Sequence, residues 1–166
     1  MKIFGIVGWK NSGKTGLMER LVAEISGRGY DVSTIKHAHH TFDVDHAGKD
    51  SYRHRAAGAK EVLLTSKNRW ALMHEIRDEN EPDLAQLLKL LSPCDLVLIE
   101  GYKRDQHPKI EASLATDSDE LIANEDKSIL AVASDRAFDN LHVPRFDLKD
   151  TRAMADFILD ETGLAP

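Results

Sequence analysis

The 166-residue sequence has little of several features that would assign it to a special class of protein. It contains one cysteine, Cys94, so no internal disulfide can form and a reducing compartment is expected. No apolar run approaches the roughly 18 residues that a membrane-spanning helix needs. The apolar start also runs straight into a polar motif, which disfavours a cleaved signal. We therefore predict a cytoplasmic protein with no membrane segment.

The sequence also lacks an excess of positive charge. The chain has 22 lysines and arginines against 28 aspartates and glutamates, which gives a formal net charge of −6. Non-specific binding of nucleic acid requires a basic surface, so we expect no nucleic-acid partner. No internal repeat, low-complexity tract or flexible linker interrupts the sequence, and its length suits a single domain over residues 1–166.

What the sequence does have is a phosphate-binding motif. The stretch GWKNSGKT, Gly8–Thr15, matches the pattern G-x-x-x-x-G-K-[ST]. It lies where the mechanism needs it, between the apolar strand predicted for KIFGIVG and a helix predicted over Lys14–Ser26. In such a loop the glycines let backbone N–H groups turn toward anionic oxygens, and the helix N-terminus adds positive partial charge.

Each residue of the motif has an expected role. Lys14 brings a full positive charge to the terminal phosphates and is a candidate catalytic group, whereas the Thr15 hydroxyl can join the Mg²⁺ shell. A large side chain at Trp9 must point away from the phosphates, and packing is its first interpretation. The candidate contacts of the nucleotide in this segment are Gly8, Trp9, Lys10, Asn11, Ser12, Gly13, Lys14, Thr15 and Gly16.

The remaining elements predict an α/β fold. Strands are expected at DVSTIKH, DLVLIE, Ile129–Ala133 and VPRFDL, and helices near Asp50–Ala57, from Pro82, and after Asp150. Asp50 or Ser51 is expected to cap the second helix. EVLLT and WALMH, four residues apart, predict an antiparallel hairpin. The alternation of strands and helices predicts a mainly parallel sheet flanked by helices, the three-layer architecture of P-loop NTPases, with the hairpin as an insertion.

Ligands of such sheets bind beyond the carboxyl ends of the strands. Glu100 ends the most apolar strand and is followed by Gly101, so we expect it to serve Mg²⁺ together with Thr15. The alternative is a glutamate that merely ends a strand. Asp43, Asp45 and Asp50 follow the second strand, and Asp45 and Asp50 are taken as catalytic candidates that orient water or bind metal. No spacing singles one of them out.

The base of the bound nucleotide is predicted from Asp135. This residue, in the stretch AVASD, follows the carboxyl end of a strand. Guanine presents two donors side by side that match one carboxylate, whereas adenine places an acceptor there. Asp135 is therefore a candidate guanine reader, with a turn-capping aspartate as the equal alternative. The cluster His37–His40 suits hydrogen bonding around phosphate or substrate better than metal ligation, because no cysteine pair accompanies it.

Several stretches together resemble the MobB family, adapter proteins of molybdopterin-guanine dinucleotide biosynthesis. They are GWKNSGKT, TIKHAHHTFDVDHAGKDSYRHRAAGA, RWALMHE, LVLIEGYK with PKIE, and AVASD, in matching order over residues 1 to about 135. Two residues depart from the family pattern. Gly16 stands where a second threonine is common, and Ala47 where a proline is familiar, and neither is a proposed ligand.

The resemblance implies a GTP-binding, weakly GTP-hydrolysing homodimer. It also implies a partnership with a MobA-type guanylyltransferase that joins GMP to molybdopterin, and it leaves open whether molybdopterin binds this chain. By the same resemblance Gly8–Thr15 hold the triphosphate and Glu100 serves the metal. From the residues alone, an ATP-dependent small-molecule kinase and a metallochaperone GTPase remain alternatives.

Overall fold

The structure, a computed structural model, describes residues 1–38, 42–116 and 120–165. His39 and His40, which belong to the cluster expected to form hydrogen bonds around phosphate or substrate, lie outside the described residues. The elements in chain order are β1 (Lys2–Val7), α1 (Lys14–Gly27), β2 (Val32–Lys36), α2 (Asp50–Ala56), β3 (Glu61–Thr65), β4 (Trp70–His74), α3 (Leu84–Leu88), β5 (Leu96–Glu100), β6 (Lys109–Ser113), a 3₁₀ helix (Ile122–Asn124), β7 (Ile129–Ser134), β8 (Arg145–Asp147) and α4 (Thr151–Thr162).

The chain folds as two compact units. The first, the sheet unit, comprises Met1–His37 and Leu91–Pro166, and the second, the hairpin unit, comprises Ala38–Leu90. No helix among the described residues is both long and apolar enough to span a bilayer.

The sheet unit is built on six strands in the order β2-β5-β1-β6-β7-β8, and every neighbouring pair is parallel. The predicted parallel α/β fold flanked by helices is thus confirmed. The strand β5 lies between β1 and β2, so the carboxyl end of β5 is next to the phosphate-loop end of β1. This order brings Glu100 to the motif.

The helices α1 and α4 pack against each other and cover one face of the sheet. In α1 the apolar residues recur every three or four positions, and Leu17, Leu21 and Ile25 are fully buried. The helix α4 begins as predicted, because the Asp150 carboxylate accepts from the Ala153 N–H at 3.1 Å, and it ends at Gly163 with a left-handed φ of 66°.

The strand β6 is absent from the sequence-based prediction, although it lies at the centre of the sheet between β1 and β7. Its sequence KIEAS carries Lys109 and Glu111, which do not suggest a buried strand, yet both side chains are fully buried. They alternate with Ile110 and Ala112, which belong to the core under α1 and α4. The opposite face of β6 is therefore polar.

Those two buried charges have partners. Lys109 Nζ donates to the Asp105 carbonyl, to the Ser128 hydroxyl and, at 3.1 Å, to Asp126 Oδ2. The Glu111 carboxylate accepts from the N–H groups of Ile122 at 3.0 Å and Ala123 at 2.8 Å, at the start of the 3₁₀ helix. Charges removed from water need such partners, and here they join β6 to the segments before and after it.

In the hairpin unit, β3 and β4 form the predicted antiparallel pair, with Glu61 opposite His74 and Thr65 opposite Trp70. The Ser66 hydroxyl closes the turn by accepting from the Asn68 and Arg69 N–H groups. The pair forms a two-stranded sheet of its own.

Two predicted helix starts in the hairpin unit are wrong by one or two residues. The N-cap of α2 is Lys49, so Asp50 and Ser51 lie inside the helix instead of capping it. The helix α3 starts after an Asp83 cap, not at Pro82, and Asp83 and Gln86 form a reciprocal capping box.

Candidate functional site

The phosphate loop has the backbone conformation that its motif requires. Gly8, Asn11 and Gly13 have positive φ values of 146°, 67° and 82°. At Gly8 a Cβ atom would stand 2.3 Å from the Ala112 carbonyl oxygen on the neighbouring strand β6, so only glycine fits there. Gly13 takes its left-handed conformation at the N-cap position of α1. The start of the loop therefore packs closely against β6.

The N-terminus of α1 is suited to binding an anion. No side chain caps it, and its first turn contains no acidic residue. The first N–H groups of a helix need acceptors, and together with the positive end of the helix dipole they form an anion site. Lys14 Nζ donates to the Trp9 carbonyl and to Ser12 Oγ, the latter at 3.2 Å, so its ammonium lies over the loop.

Glu100 stands beside the motif, as the sequence predicted. Its Oε1 accepts from the Thr15 hydroxyl at 3.4 Å, and the same oxygen lies 3.2 Å from Lys36 Nζ. The side chain of Glu100 is 12% exposed, and that of Lys36 is 60% exposed. Lys36 was not among the sequence candidates, because a lysine at the end of a strand is usually a solvated residue.

The end of β5 is joined to β2 and to β1 by contacts that the sequence did not reveal. The His37 N–H donates to the Glu100 carbonyl at 2.9 Å, and the Gly101 N–H donates to the Ile6 carbonyl at 3.2 Å. The rings of His37 and Tyr102 lie with centroids 4.7 Å apart. Thus the part of the His37–His40 cluster that the structure describes contacts an aromatic ring and the backbone of β5.

The Trp9 side chain contacts the segment just before the 3₁₀ helix. Its indole Nε1 donates to the Glu120 carbonyl at 3.1 Å, and Lys103 Nζ lies 4.4 Å from the ring centroid. Burial lowers the pKa of Lys103, and Glu111 opposes this shift. Trp9 is also 44% exposed, so its role at the nucleotide site stays a prediction. Lys10 is exposed, and at Gly16 a Cβ would meet only Arg20 Nη1 at 3.5 Å, which leaves room for a side chain.

Asp135 follows β7 at the carboxyl edge of the sheet, where the prediction put it. Its Oδ1 accepts from the Ala115 N–H at 2.7 Å, in the loop after β6. This bond fixes the carboxylate against the neighbouring loop. This bond tests neither alternative of the sequence analysis, a guanine reader or a turn-capping aspartate, so the role of Asp135 stays a prediction.

Asp45 and Asp50, the other catalytic candidates, belong to the hairpin unit. Asp45 is 8% exposed and its Oδ1 lies 2.5 Å from Arg55 Nη2, and the Arg55 hydrogen bond lowers the pKa of this carboxyl. Arg55 also pairs with Asp43 and Glu75, each at 2.8 Å. Asp50 is exposed, 3.9 Å from Arg53. These contacts give Asp45 a structural task, and the catalytic roles of both stay predictions.

Comparison with known proteins assigns the family. The sequence profile of the family described as "MobB: Molybdopterin guanine dinucleotide synthesis protein B" matches residues 3–135, most of the chain. The chain belongs to the MobB family. The match includes the phosphate loop, Glu100 and Asp135, and it excludes α4. It confirms the resemblance drawn from the motifs.

Relatives and solved structures agree over nearly the whole length. The molybdopterin-guanine dinucleotide biosynthesis adapter protein of Escherichia coli (strain K12) is 39% identical over 163 residues, 95% of this chain and 91% of the relative. The protein of the same name from Haemophilus influenzae is 38% identical over 159 residues, 94% of this chain and 86% of the relative. A crystal structure of molybdopterin-guanine biosynthesis protein B superposes with a TM-score of 0.75 at 27% identity, covering 97% of this chain and 99% of that chain.

Proposed function

We propose that this MobB-family chain binds GTP with Mg²⁺ in its phosphate loop and hydrolyses it slowly. We propose further that it acts in the cytoplasm as an adapter for a MobA-type guanylyltransferase that joins GMP to molybdopterin. The observation that carries the nucleotide site is the arrangement of Thr15 and Glu100 at 3.4 Å beside an uncapped helix N-terminus. The pathway is supported by the relatives, which are named as adapter proteins of molybdopterin-guanine dinucleotide biosynthesis.

The residues beside the loop fit Mg²⁺. A hydroxyl and a carboxylate are the hard oxygen ligands that this ion prefers, and a cation, the Lys36 ammonium, already contacts the carboxylate. Thr15 and Glu100 would hold the metal, the latter directly or through a bound water. When bound, Mg²⁺ neutralises charge that develops on the transferred phosphate. The chain itself contributes the loop N–H groups, the Lys14 ammonium and the positions of these two oxygen ligands.

The metallochaperone alternative depends on the histidines. Among residues 1–38, 42–116 and 120–165, no three histidine, cysteine, aspartate or glutamate side chains are grouped so as to hold a metal. His39 and His40 lie outside these residues, so the metallochaperone stays an alternative, and the adapter proposal rests on the names of the relatives.

Asp135→Asn is expected to reduce the preference for GTP over ATP by about tenfold. In the proposed complex the carboxylate would accept from two guanine donors, whereas an amide offers only one acceptor oxygen, and a guanine donor that loses its acceptor on burial costs about 1–3 kcal/mol. Equilibrium titrations of wild type and variant with GTP and with ATP, both with Mg²⁺, measure this. Asp139→Asn is the matched control, because it makes the same substitution at another exposed aspartate of the same loop region.

The outcomes separate the rivals. A guanine preference that Asp135→Asn erodes supports the adapter proposal and its base reader. An unchanged preference in the variant removes Asp135 from that role. Equal binding of the two nucleotides by the wild type, or a preference for ATP, favours the kinase instead.

The proposed homodimer is supported by the surface of the hairpin. Leu63 and Leu72 lie opposite each other in the β3–β4 register and are 62% and 49% exposed, and Trp70 is 68% exposed. Apolar groups of this size gathered on one face of a two-stranded sheet favour burial against a partner. A second copy of the chain is the partner that the family resemblance implies.

Leu63→Lys together with Trp70→Lys is expected to shift the protein from dimer to monomer, because two charges would replace buried apolar contacts. Mass by light scattering at micromolar concentration measures the shift. Exchanging the exposed charge in Lys67→Glu, at the turn of the same hairpin, is the control. A wild-type protein that is monomeric under these conditions would remove the dimer from the proposal.

A further inference from the structure

One oxygen of the candidate metal site already carries a cation. Lys36 Nζ lies 3.2 Å from Glu100 Oε1, the same oxygen that accepts from the Thr15 hydroxyl at 3.4 Å. Neither the motif nor the comparisons assign a role to Lys36. Its ammonium stands at the carboxylate that would serve Mg²⁺.

The pair is set by the backbone and is not a chance meeting of long side chains. Lys36 and Glu100 are register partners in the parallel β2–β5 ladder, and Ile6 is the partner of Glu100 on β1. Register partners project their side chains from the same face of a sheet, so the ammonium and the carboxylate are held side by side. The His37–Tyr102 ring contact, with centroids 4.7 Å apart, holds the strand ends together immediately beyond the pair.

The Glu100 and Lys36 side chains differ in how far each is exposed to solvent. The Glu100 side chain is 12% exposed, so it is confined, whereas the Lys36 side chain is 60% exposed. A lysine has a flexible four-carbon stem, and an exposed ammonium can leave its partner at small cost because water solvates it. The carboxylate is therefore fixed and its present cation is removable.

We propose that Lys36 is an exchangeable counter-ion of the metal site, and this proposal rests on the Mg²⁺–GTP site proposed above. With Lys36 on Glu100 the site offers a hydroxyl and a neutralised carboxylate, which is too little to dehydrate a strongly hydrated free Mg²⁺. A nucleotide that arrives with Mg²⁺ would supply phosphate oxygens to the ion, and the Lys36 ammonium would then leave Glu100 free to serve the metal. Lys36 thereby makes metal loading depend on the nucleotide.

The test is the Mg²⁺ concentration that gives half-maximal GTP binding. In Lys36→Met we expect this midpoint to fall by about fivefold, the upper end of what an exposed ion pair contributes. Lys36→Arg keeps the charge and should have a midpoint near that of the wild type. Lys2→Met, at the exposed start of β1, removes an equal charge from the opposite end of the sheet and is the control. As a measurement without nucleotide, Mn²⁺ alone, followed by the electron-spin signal of the free ion, should bind more tightly to Lys36→Met.

Each other outcome overturns the proposal in a recognisable way. An unchanged Mg²⁺ midpoint in Lys36→Met, in a protein whose wild type binds GTP with Mg²⁺, removes the counter-ion role and leaves the GTP site intact. If Lys36→Met weakens GTP binding equally in the presence of Mg²⁺ and in the presence of a metal chelator, Lys36 is a phosphate ligand instead. A wild type that binds no GTP overturns the proposed function as well as this inference.

Discussion

The Lys14→Ala variant is expected to bind GTP at least about a hundredfold more weakly than the wild type, with no loss of thermal stability. The Lys14 ammonium lies over the phosphate loop, where it donates to the Trp9 carbonyl and to Ser12 Oγ at 3.2 Å. Charge-assisted hydrogen bonds to phosphate contribute about 1.5–3 kcal/mol each, and two of them account for roughly a hundredfold or more. Titration with a fluorescent GTP analogue in the presence of Mg²⁺ measures the loss.

Thermal stability should be retained because Lys14 is the first residue of α1. A positive charge at the N-terminus of a helix opposes the helix dipole, so its removal does not weaken the helix. Lys2→Ala is the control for binding, since this exposed lysine starts β1 at the other end of the strand from the loop. Wild-type affinity in Lys14→Ala would refute the phosphate site, whichever base the protein prefers.

Local patterns in the sequence were sufficient to predict most of the sheet unit. The motif Gly8–Thr15 requires a strand before it and a helix after it, and apolar runs that lie within a parallel sheet are continuous, as in β5. Glu100 was predicted as a neighbour of Thr15 because strand ends on one edge of a sheet meet, and the structure gives 3.4 Å between the two side chains. These inferences needed only properties of neighbouring residues and a general rule of sheet topology.

The strand β6 could not be predicted in that way. A lysine and a glutamate at alternate positions of a five-residue segment indicate a solvated edge, unless distant residues provide their partners. Lys109 is paired with Asp126, and Glu111 accepts from the N–H groups of residues 122 and 123. No local sequence pattern predicts these contacts. The contact of Lys36 with Glu100 was missed for a similar reason, because it follows from the order of β2 and β5 in the sheet, and the sequence alone did not provide that order.

The second prediction with a large effect concerns Glu111, on the polar face of β6. Glu111→Ala is expected to lower the free energy of unfolding by about 3–5 kcal/mol, because the Ile122 and Ala123 N–H groups lose their acceptor and each buried orphan donor costs about 1–3 kcal/mol. For a chain of this length, 2–4 °C per kcal/mol corresponds to a fall in melting temperature of about 10 °C. Calorimetry or circular dichroism against temperature measures it.

Two further variants separate the role of the hydrogen bonds from that of a glutamate in this region. Glu111→Gln keeps one carbonyl acceptor for the two N–H groups and removes the charge, so its loss of stability should be intermediate, and it serves as the test if Glu111→Ala does not fold. Glu125→Ala removes an exposed carboxylate just after the same 3₁₀ helix and should change the melting temperature by no more than about 2 °C. If Glu111→Gln and Glu125→Ala both melt with the wild type, the Glu111 carboxylate does not hold the 3₁₀ helix. A graded loss of melting temperature, small in Glu125→Ala, intermediate in Glu111→Gln and largest in Glu111→Ala, would instead show that β6 and the 3₁₀ helix depend on the buried Glu111 carboxylate for their stability.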